Sequence, residues 1–288
     1  MSAHADSASA ALSWWPAPAK LNLFLHVVGR REDGFHNLQT LFQLLDWGDE
    51  IGIEITAETH IERVAGPASI VPEEDLAVRA ARALQQATGV KRGVRLWVRK
   101  RIPPGGGLGG GSSDAATVLR VLNRLWGTAL DRGELDRVGL ELGSDVPVFL
   151  NGSSAWAEGR GEQLTPMELP EAWYLIVYPG VSVGTASIFQ APELTRNSPL
   201  VTMRGFSPAQ ARNDCEPVVR ARYPQVAAVL DWLGPRARLS GTGSSVFMAF
   251  ERAAEAERVA ARVPDEWTSF VARGVNRSPL DAALAIIT

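Results

Sequence analysis

Cysteine is nearly absent, with one residue, Cys215, in a chain of 288. A lone thiol makes no internal disulfide, so the fold is not stapled, and a cytoplasmic compartment is the default reading. Histidine is almost as sparse, and His4, His26, His36 and His60 are too scattered for the spacing of a zinc site. No apolar run approaches the ~18 residues of a membrane span. Positive charge is not in excess either. The 29 Lys and Arg face 32 Asp and Glu, a formal charge of −3, and no basic stripe marks a nucleic-acid binder. The opening MSAHADSASAALSWW lacks the basic start and continuous apolar stretch of a signal peptide, so residues 1–15 read as a flexible tail.

What is present is ordinary globular material: 45% hydrophobic and 21% charged residues, at a length that suggests roughly two domains. Lys20 to Val28 alternates, with Leu21, Leu23, Leu25 and Val27 on one face of a strand and Lys20, Asn22, Phe24 and His26 on the other. Ile51, Ile53 and Ile55 repeat that period, as do Val94, Leu96 and Val98. After Pro72, helical spacing relates Leu76, Ala80, Ala83 and Leu84, and Gly89 is a C-terminal stop. Val118, Leu122 and Leu125/Trp126 mark another helix, capped by Ser112 or Ser113, and Asp131 caps the next. Beyond Asn151-Gly152, strands are expected at Tyr174–Tyr178, Val246–Phe250 and Phe270-Val271. Helices are expected around Val226–Leu233 and from Glu251 to Arg262. Without strict βαβ alternation the pattern predicts α+β domains of two layers, over residues 16–155 and 156–288.

The densest signal is PPGGGLGGGSSDAA, Pro103 to Ala116. Every position from Gly105 to Gly111 except Leu108 is glycine, although the whole chain has only 27 glycines. Stripping side chains lets backbone N–H groups wrap a ligand. A helix opening at Ser112-Ser113 aims its unpaired N–H groups and positive dipole end at the same place. That is a phosphate cradle; the bland alternative is a flexible linker, an odd thing to find between a strand and an amphipathic helix. A Walker A loop is excluded because no lysine stands in Gly111-Ser112-Ser113. Gly105-x-Gly107-x-x-Gly110 fits a dinucleotide fingerprint, but prolines and a basic run intervene after the strand. Asp131, at the spacing of the ribose acid, reads as a helix cap.

The loop resembles the P-x-x-x-G-L-G/S-S-S loop of the GHMP small-molecule kinases. Two more motifs of that family stand in the right order, Pro18-Ala19-Lys20-Leu21-Asn22 and Ser240-Gly241-Thr242-Gly243-Ser244-Ser245. The resemblance spans nearly all of the chain after the tail. It implies the two-domain GHMP fold, with an ATP-binding and catalytic domain at 16–155 and a substrate-binding domain at 156–288. Four further segments, Asp33–His36, Leu38–Phe42, Leu142–Phe149 and Asn213–Glu216, are most similar to family members acting on a cytidine diphosphate ester of methylerythritol. The function this implies is ATP-dependent phosphorylation of a hydroxyl of the methylerythritol portion, giving the 2-phosphate, in non-mevalonate isoprenoid precursor synthesis.

Phosphoryl transfer asks the protein mainly for positioning, charge stabilisation and removal of the acceptor's proton. Asp145, just before the apolar Val146-Pro147-Val148-Phe149, is the candidate base by its setting and by the resemblance; on sequence alone a turn aspartate is as good a reading. Lys20 is implied to orient the hydroxyl, with Asn22 supporting the site. The implied ATP site is Pro104, Gly105, Gly106, Gly107, Leu108, Gly109, Gly110, Gly111, Ser112 and Ser113, joined by Lys100 of the Arg99-Lys100-Arg101 run, which is otherwise a solvated edge. Phe35, His36 and Phe189 occupy the positions implied to hold cytosine, with phenylalanine where the family often has tyrosine. Mg²⁺ is expected with ATP; Ser112 and Ser113 are available to it, and its acidic ligand is unassigned. The implied partners are small molecules only, with no nucleic acid and no membrane. Rival readings are a kinase for homoserine or mevalonate, a silent nucleotide-binding regulator on the same fold, and, remotely, a nicotinamide oxidoreductase.

Overall fold

The computed structural model describes residues 11–207 and 211–286. Two long strands, β1 (Ser13–Arg30) and β2 (His36–Thr56), pair antiparallel from Ser13↔Ile53 to Arg30↔His36. The remaining elements follow as β3 (Ile61–Ala65), α1 (Leu76–Thr88), β4 (Gly93–Arg99), α2 (Gly110–Leu125), α3 (Arg132–Leu142), α4 (Val146–Asn151), β5 (Ala155–Glu158), β6 (Gln163–Pro166), β7 (Trp173–Tyr178), α5 (Thr185–Phe189), α6 (Glu216–Arg222), α7 (Pro224–Leu233), β8 (Arg238–Leu239), β9 (Val246–Phe250), α8 (Ala253–Ala260), β10 (Thr268–Val275) and α9 (Pro279–Ala285).

β2 organises the sheet. One edge carries β1, and the other is taken in turn by β5 at Thr40–Phe42, β10 at Leu44-Leu45 and β4 at Glu50–Thr56. β10 continues through β7 and β9 to β8, all antiparallel; β3 joins β4 in parallel. A mostly antiparallel sheet covered by helices is the expected α+β class. Two large cores flank it. The first joins β2 and β4 to α1, α2 and α4; the second joins β7 and β9 to α6 and α7. The expected border at residue 155 is crossed in both directions. Leu280 of α9 packs into the first core, and Leu25 and Val27 of β1 pack into the second.

Local signals held where caps and apolar periods were strong. Asp131 and Glu134 form a reciprocal capping box at α3, and Gly89 closes α1 at φ +67°. Three expectations need correction. Residues 1–10 of the expected tail lie outside the described residues, but Ser13, Trp14 and Trp15 belong to β1 and not to a tail. Trp15 is buried, and the Arg99 guanidinium lies 3.5 Å from the Trp14 ring centroid, so two strand-favouring aromatics are put to use. α2 begins at Gly110, capped by Gly109 at φ +75°, and neither Ser112 nor Ser113 is the cap. Only a residue without Cβ fits there, because a Cβ on Gly109 would meet the Phe149 ring at 2.7 Å. The helix placed at Glu251–Arg262 is shorter, Ala253–Ala260.

β1 also departs from simple alternation. Register shifts lie between Pro18 and Lys20 and between Asn22 and Leu25. Both faces are covered: Leu21 and Phe24 are buried, and so are Lys20, Asn22 and His26. His26 packs edge-on to Phe24 with ring centroids 4.9 Å apart. Cys215 is fully buried, and burial, followed by the neighbouring Asp214 charge, pushes its thiol up to about 12. That thiol is packing material, inert at neutral pH.

Candidate active site

The three separated motifs meet at one place. Carbonyl oxygens of the glycine loop are consumed by protein. Gly105 O accepts from Ser244 N at 3.2 Å, Gly106 O from Ser245 N at 3.0 Å, Gly107 O from Ser240 Oγ at 2.9 Å and Leu108 O from Lys20 N at 3.0 Å. The loop's carbonyl edge is thereby docked on the N-terminal and C-terminal motifs. Its donors are the first-turn N–H groups of α2, which have no intrahelical acceptor. Gly107, at φ +73°, has room for no side chain, since a Cβ would sit 2.2 Å from Ser240 O.

A cavity of about 1060 Å³ opens over this junction. Lys20 projects into it from β1. Its ammonium donates to Asn22 Oδ1 and to Gly107 O at 3.1 Å, and lies 3.3 Å from Asp145 Oδ2. Asn22 is itself held, donating to Thr40 Oγ1 at 2.9 Å. Asp145 stands immediately before α4 and keeps 35% of its side chain exposed, against 3% for Lys20. The arrangement is a fixed buried cation beside an accessible carboxylate, both at the edge of the loop.

Further along the same cavity, His36 is buried and stacks on Phe189, with ring centroids 5.4 Å apart and planes at 26°. Its Nε2 accepts from Arg196 Nε at 3.0 Å, which leaves the ring proton on Nδ1. Burial, then the Arg196 and Arg30 charges, lower the His36 pKa from its ordinary value and favour the neutral ring. Phe35 is half exposed under the guanidinium of Arg160, 4.1 Å from its centroid.

Family models match on both sides of this cavity. The GHMP kinases N terminal domain matches residues 75–153, and the GHMP kinases C terminal domain matches residues 201–269. A protein of Halorhodospira halophila (strain DSM 244 / SL1) named 4-diphosphocytidyl-2-C-methyl-D-erythritol kinase is 55% identical over 278 residues, covering 95% of this chain and 96% of that one. The chain belongs to the GHMP kinase family. A crystal structure of 4-(cytidine 5'-diphospho)-2C-methyl-D-erythritol kinase superposes on this GHMP kinase with a TM-score of 0.78 at 35% identity, covering 92% of this chain and 100% of that one. A homoserine kinase from Cytophaga hutchinsonii ATCC 33406 shares the fold at 17% identity and a TM-score of 0.66, covering 96% of this chain and 98% of that one.

Of the residues singled out from the sequence, Lys20, Asn22, Phe35, His36, Lys100, Pro104 to Ser112, Asp145 and Phe189 all line the cavity of this GHMP kinase. Ser113 does not. It is fully buried within α2 and donates to Pro18 O at 2.7 Å, so it is withdrawn from ligand. Lys100 faces the cavity, but its ammonium is already engaged by Asp114 at 2.7 Å and by Asp49. Asp49 also accepts from Arg101 N and Ile102 N, at 2.5 Å and 2.8 Å. Lys100 therefore ties the strand entering the loop to the helix leaving it, its ammonium shared by two carboxylates at the cavity wall. Burial drives Asp114 upward to about 8, Lys100 pulls against that, and Asp49 adds to it. Among the described residues no group of three or more His, Cys, Asp or Glu forms a metal cluster.

Asp49, Asp114, Thr40, Arg160 and Arg196 were missed in the sequence. Asp114, two residues past Ser112, and Thr40, inside the Leu38–Phe42 segment, carried local signals; the others did not.

Proposed function

We propose that this chain transfers the γ-phosphoryl group of ATP to a hydroxyl of 4-diphosphocytidyl-2-C-methyl-D-erythritol, giving the 2-phosphate for non-mevalonate isoprenoid precursor synthesis. The observation that carries the reading is a single cavity in which the Lys20–Asp145 couple stands beside the glycine loop and shares the space with the His36–Phe189 stack. The names of relatives 50–55% identical over most of the chain support the same substrate.

In this reading the triphosphate lies against the first turn of α2, met by N–H groups of Gly110 and Gly111 and by Ser112. The acceptor hydroxyl sits between Lys20 and Asp145. As its oxygen forms a bond to the γ-phosphorus, its proton passes to Asp145 and ADP leaves. Lys20, locked by Asn22 and Gly107, orients the hydroxyl and offsets charge developing on the transferred group. A Mg²⁺ ion bound with ATP would screen the phosphate charge and ask for few protein ligands. Ser112, in the first turn of α2 and on the cavity wall, is the residue that would hold it. His36 and Phe189, with Phe35 at the mouth, hold the cytosine. Residues 16–155 supply the loop and the couple, and residues 156–288 supply Phe189 and the Ser240–Ser245 motif. Substrate contacts thus come from both halves. A cytoplasmic setting goes with ATP as donor, and among the described residues no helix is long and apolar enough to cross a membrane.

The deciding experiment is ADP release with the cytidylated erythritol ester against homoserine, mevalonate and galactose at equal concentration. Turnover dependent on the ester alone is expected. Turnover with another alcohol in its place, or ADP release independent of any acceptor, overturns the reading.

A further inference from the structure

The part of the cavity around His36 carries a concentration of positive charge that the net-negative chain shows nowhere in its composition. Arg30, Arg160 and Arg196 all line it, and Asp33, the carboxylate lining it beside Phe35, is already paired with Arg31 at 3.1 Å. The arginines are not equivalent. Arg196 is spent on structure: its guanidinium donates to His36 Nε2 and to the carbonyls of Phe189, Ala191 and Leu194, at 2.6–3.0 Å. Arg160 is the opposite case. It occupies the turn between β5 and β6, flanked by Gly159 at φ +69° and Gly161 at φ +108°, and its backbone N–H is held by Glu162 at 2.5 Å. Its guanidinium carbon lies 4.1 Å from the Phe35 ring centroid, its Nε is buried without an acceptor, and among the described residues it forms no ion pair.

A guanidinium that serves only packing has its fork satisfied, as Arg196 does, because a buried donor left unpaired is destabilising. Arg160 is fixed at its backbone and set over an aromatic ring, and its side chain lines the cavity without donating a hydrogen bond to any described residue. That is the condition of a donor awaiting an oxyanion. Resting on the function proposed above, we propose that Arg160 is a specificity-determining residue, its guanidinium binding the diphosphate of the cytidine diphosphate ester so that the phosphorylated nucleoside is chosen over the bare one. The ring stack recognises a pyrimidine whatever is attached to it; Arg160 reads the attachment.

The test uses Arg160→Met, which keeps the stem on Phe35 without the charge, and Arg160→Lys, which keeps the charge without the fork. CDP and cytidine are titrated calorimetrically into each protein with the ATP site filled by adenylyl imidodiphosphate, and KM for ester and ATP is measured alongside. CDP affinity is expected to fall roughly tenfold or more in Arg160→Met, the worth of a hydrogen bond to a charged group. Cytidine affinity and KM for ATP should move less than about twofold, the ester KM should follow CDP, and Arg160→Lys should fall between. Equal losses for CDP and cytidine would reduce Arg160 to a wall of the aromatic pocket and overturn the proposal, as would unchanged CDP affinity. If the unmodified enzyme fails to turn over the ester, the functional reading fails, while the CDP-to-cytidine ratio still decides the role of Arg160.

Discussion

Lys20 Nζ stands 3.3 Å from Asp145 Oδ2, with the lysine sealed inside the protein and the aspartate open to the cavity. The asymmetry suits a division of labour. The buried cation has acceptors in Asn22 and Gly107 besides Asp145, so it is stationary, while the exposed carboxylate can meet an incoming hydroxyl. Asp145→Asn preserves shape and removes the carboxylate proposed as proton acceptor. It is expected to lower kcat by roughly 10²–10⁴-fold, the usual worth of a positioned base. ATP affinity should be nearly unchanged, since the glycine loop does not depend on that carboxylate. ADP-release kinetics with a parallel ATP titration checks both, and retained turnover removes Asp145 from the mechanism.

Gly107 and Gly180 separate conformational freedom from close approach. Both have positive φ, +73° and +78°, but a Cβ at Gly107 would lie 2.2 Å from Ser240 O, whereas at Gly180 it would meet nothing within 4 Å. Gly180→Ala should incur only the left-handed penalty of about 1–2 kcal/mol and lower Tm by a few degrees. Gly107→Ala must also push apart the loop and the Ser240–Ser245 motif, displacing the proposed phosphate cradle. Its kcat/KM for ATP is expected to fall on the order of 10²-fold, the effect of misplacing reacting groups by about an ångström. Paired thermal melts and steady-state kinetics distinguish the two, and equal losses in both variants defeat the close-approach account.

These positions also show how far the sequence could be read. The glycine run, the Lys20-x-Asn22 pair and the Asp131 cap are local: each effect is carried by residues within a few positions of one another, so spacing alone exposes it. Lys100 lines the cavity, but its partner Asp49 was not legible, because it lies 51 residues away on β2 and its reach to Lys100 depends on the β2–β4 pairing. His36 and Arg196 are 160 positions apart, and no periodicity reports such a contact. The start of α2 went astray for a different reason. Serine is the statistical cap, but the steric demand of Phe149 on Gly109 decided the matter from outside the segment.

Asp114 gives the fold a pH dependence of defined sign. Its carboxyl is driven upward by burial, against the pull of Lys100, to about 8, from 3.8 in an unfolded chain. Between about pH 4 and pH 8 the folded state therefore holds more of this proton than the unfolded state, and stability falls as pH rises through that window. Asp114→Asn keeps an acceptor for Lys100 without titrating, so its Tm should decline less between pH 5 and pH 8.5 than that of the unmodified protein. Calorimetric melts across that range decide it; parallel profiles would show that Asp114 is already ionised in the fold.

Arg196 should set the protonation of His36 as well as its orientation. Burial, then Arg196, then Arg30 lower the His36 pKa below 6.5, so the ring stays neutral in the fold under conditions where an unfolded histidine begins to charge. Arg196→Met removes one of those cations and frees Nε2. The pKa then moves back up, and the ring charges at higher pH while losing the bond that fixes its tautomer. KM for the cytidine diphosphate ester is expected to rise about tenfold at pH 8 from lost positioning. It should rise further toward pH 6, where the unmodified enzyme is flatter; KM for ATP should follow neither trend. Ring-proton NMR titration of His36 gives the pKa directly, and KM measured from pH 6 to 8 tests the consequence. An unmoved His36 pKa in Arg196→Met assigns the lowering to burial and Arg30 and leaves Arg196 a purely geometric brace.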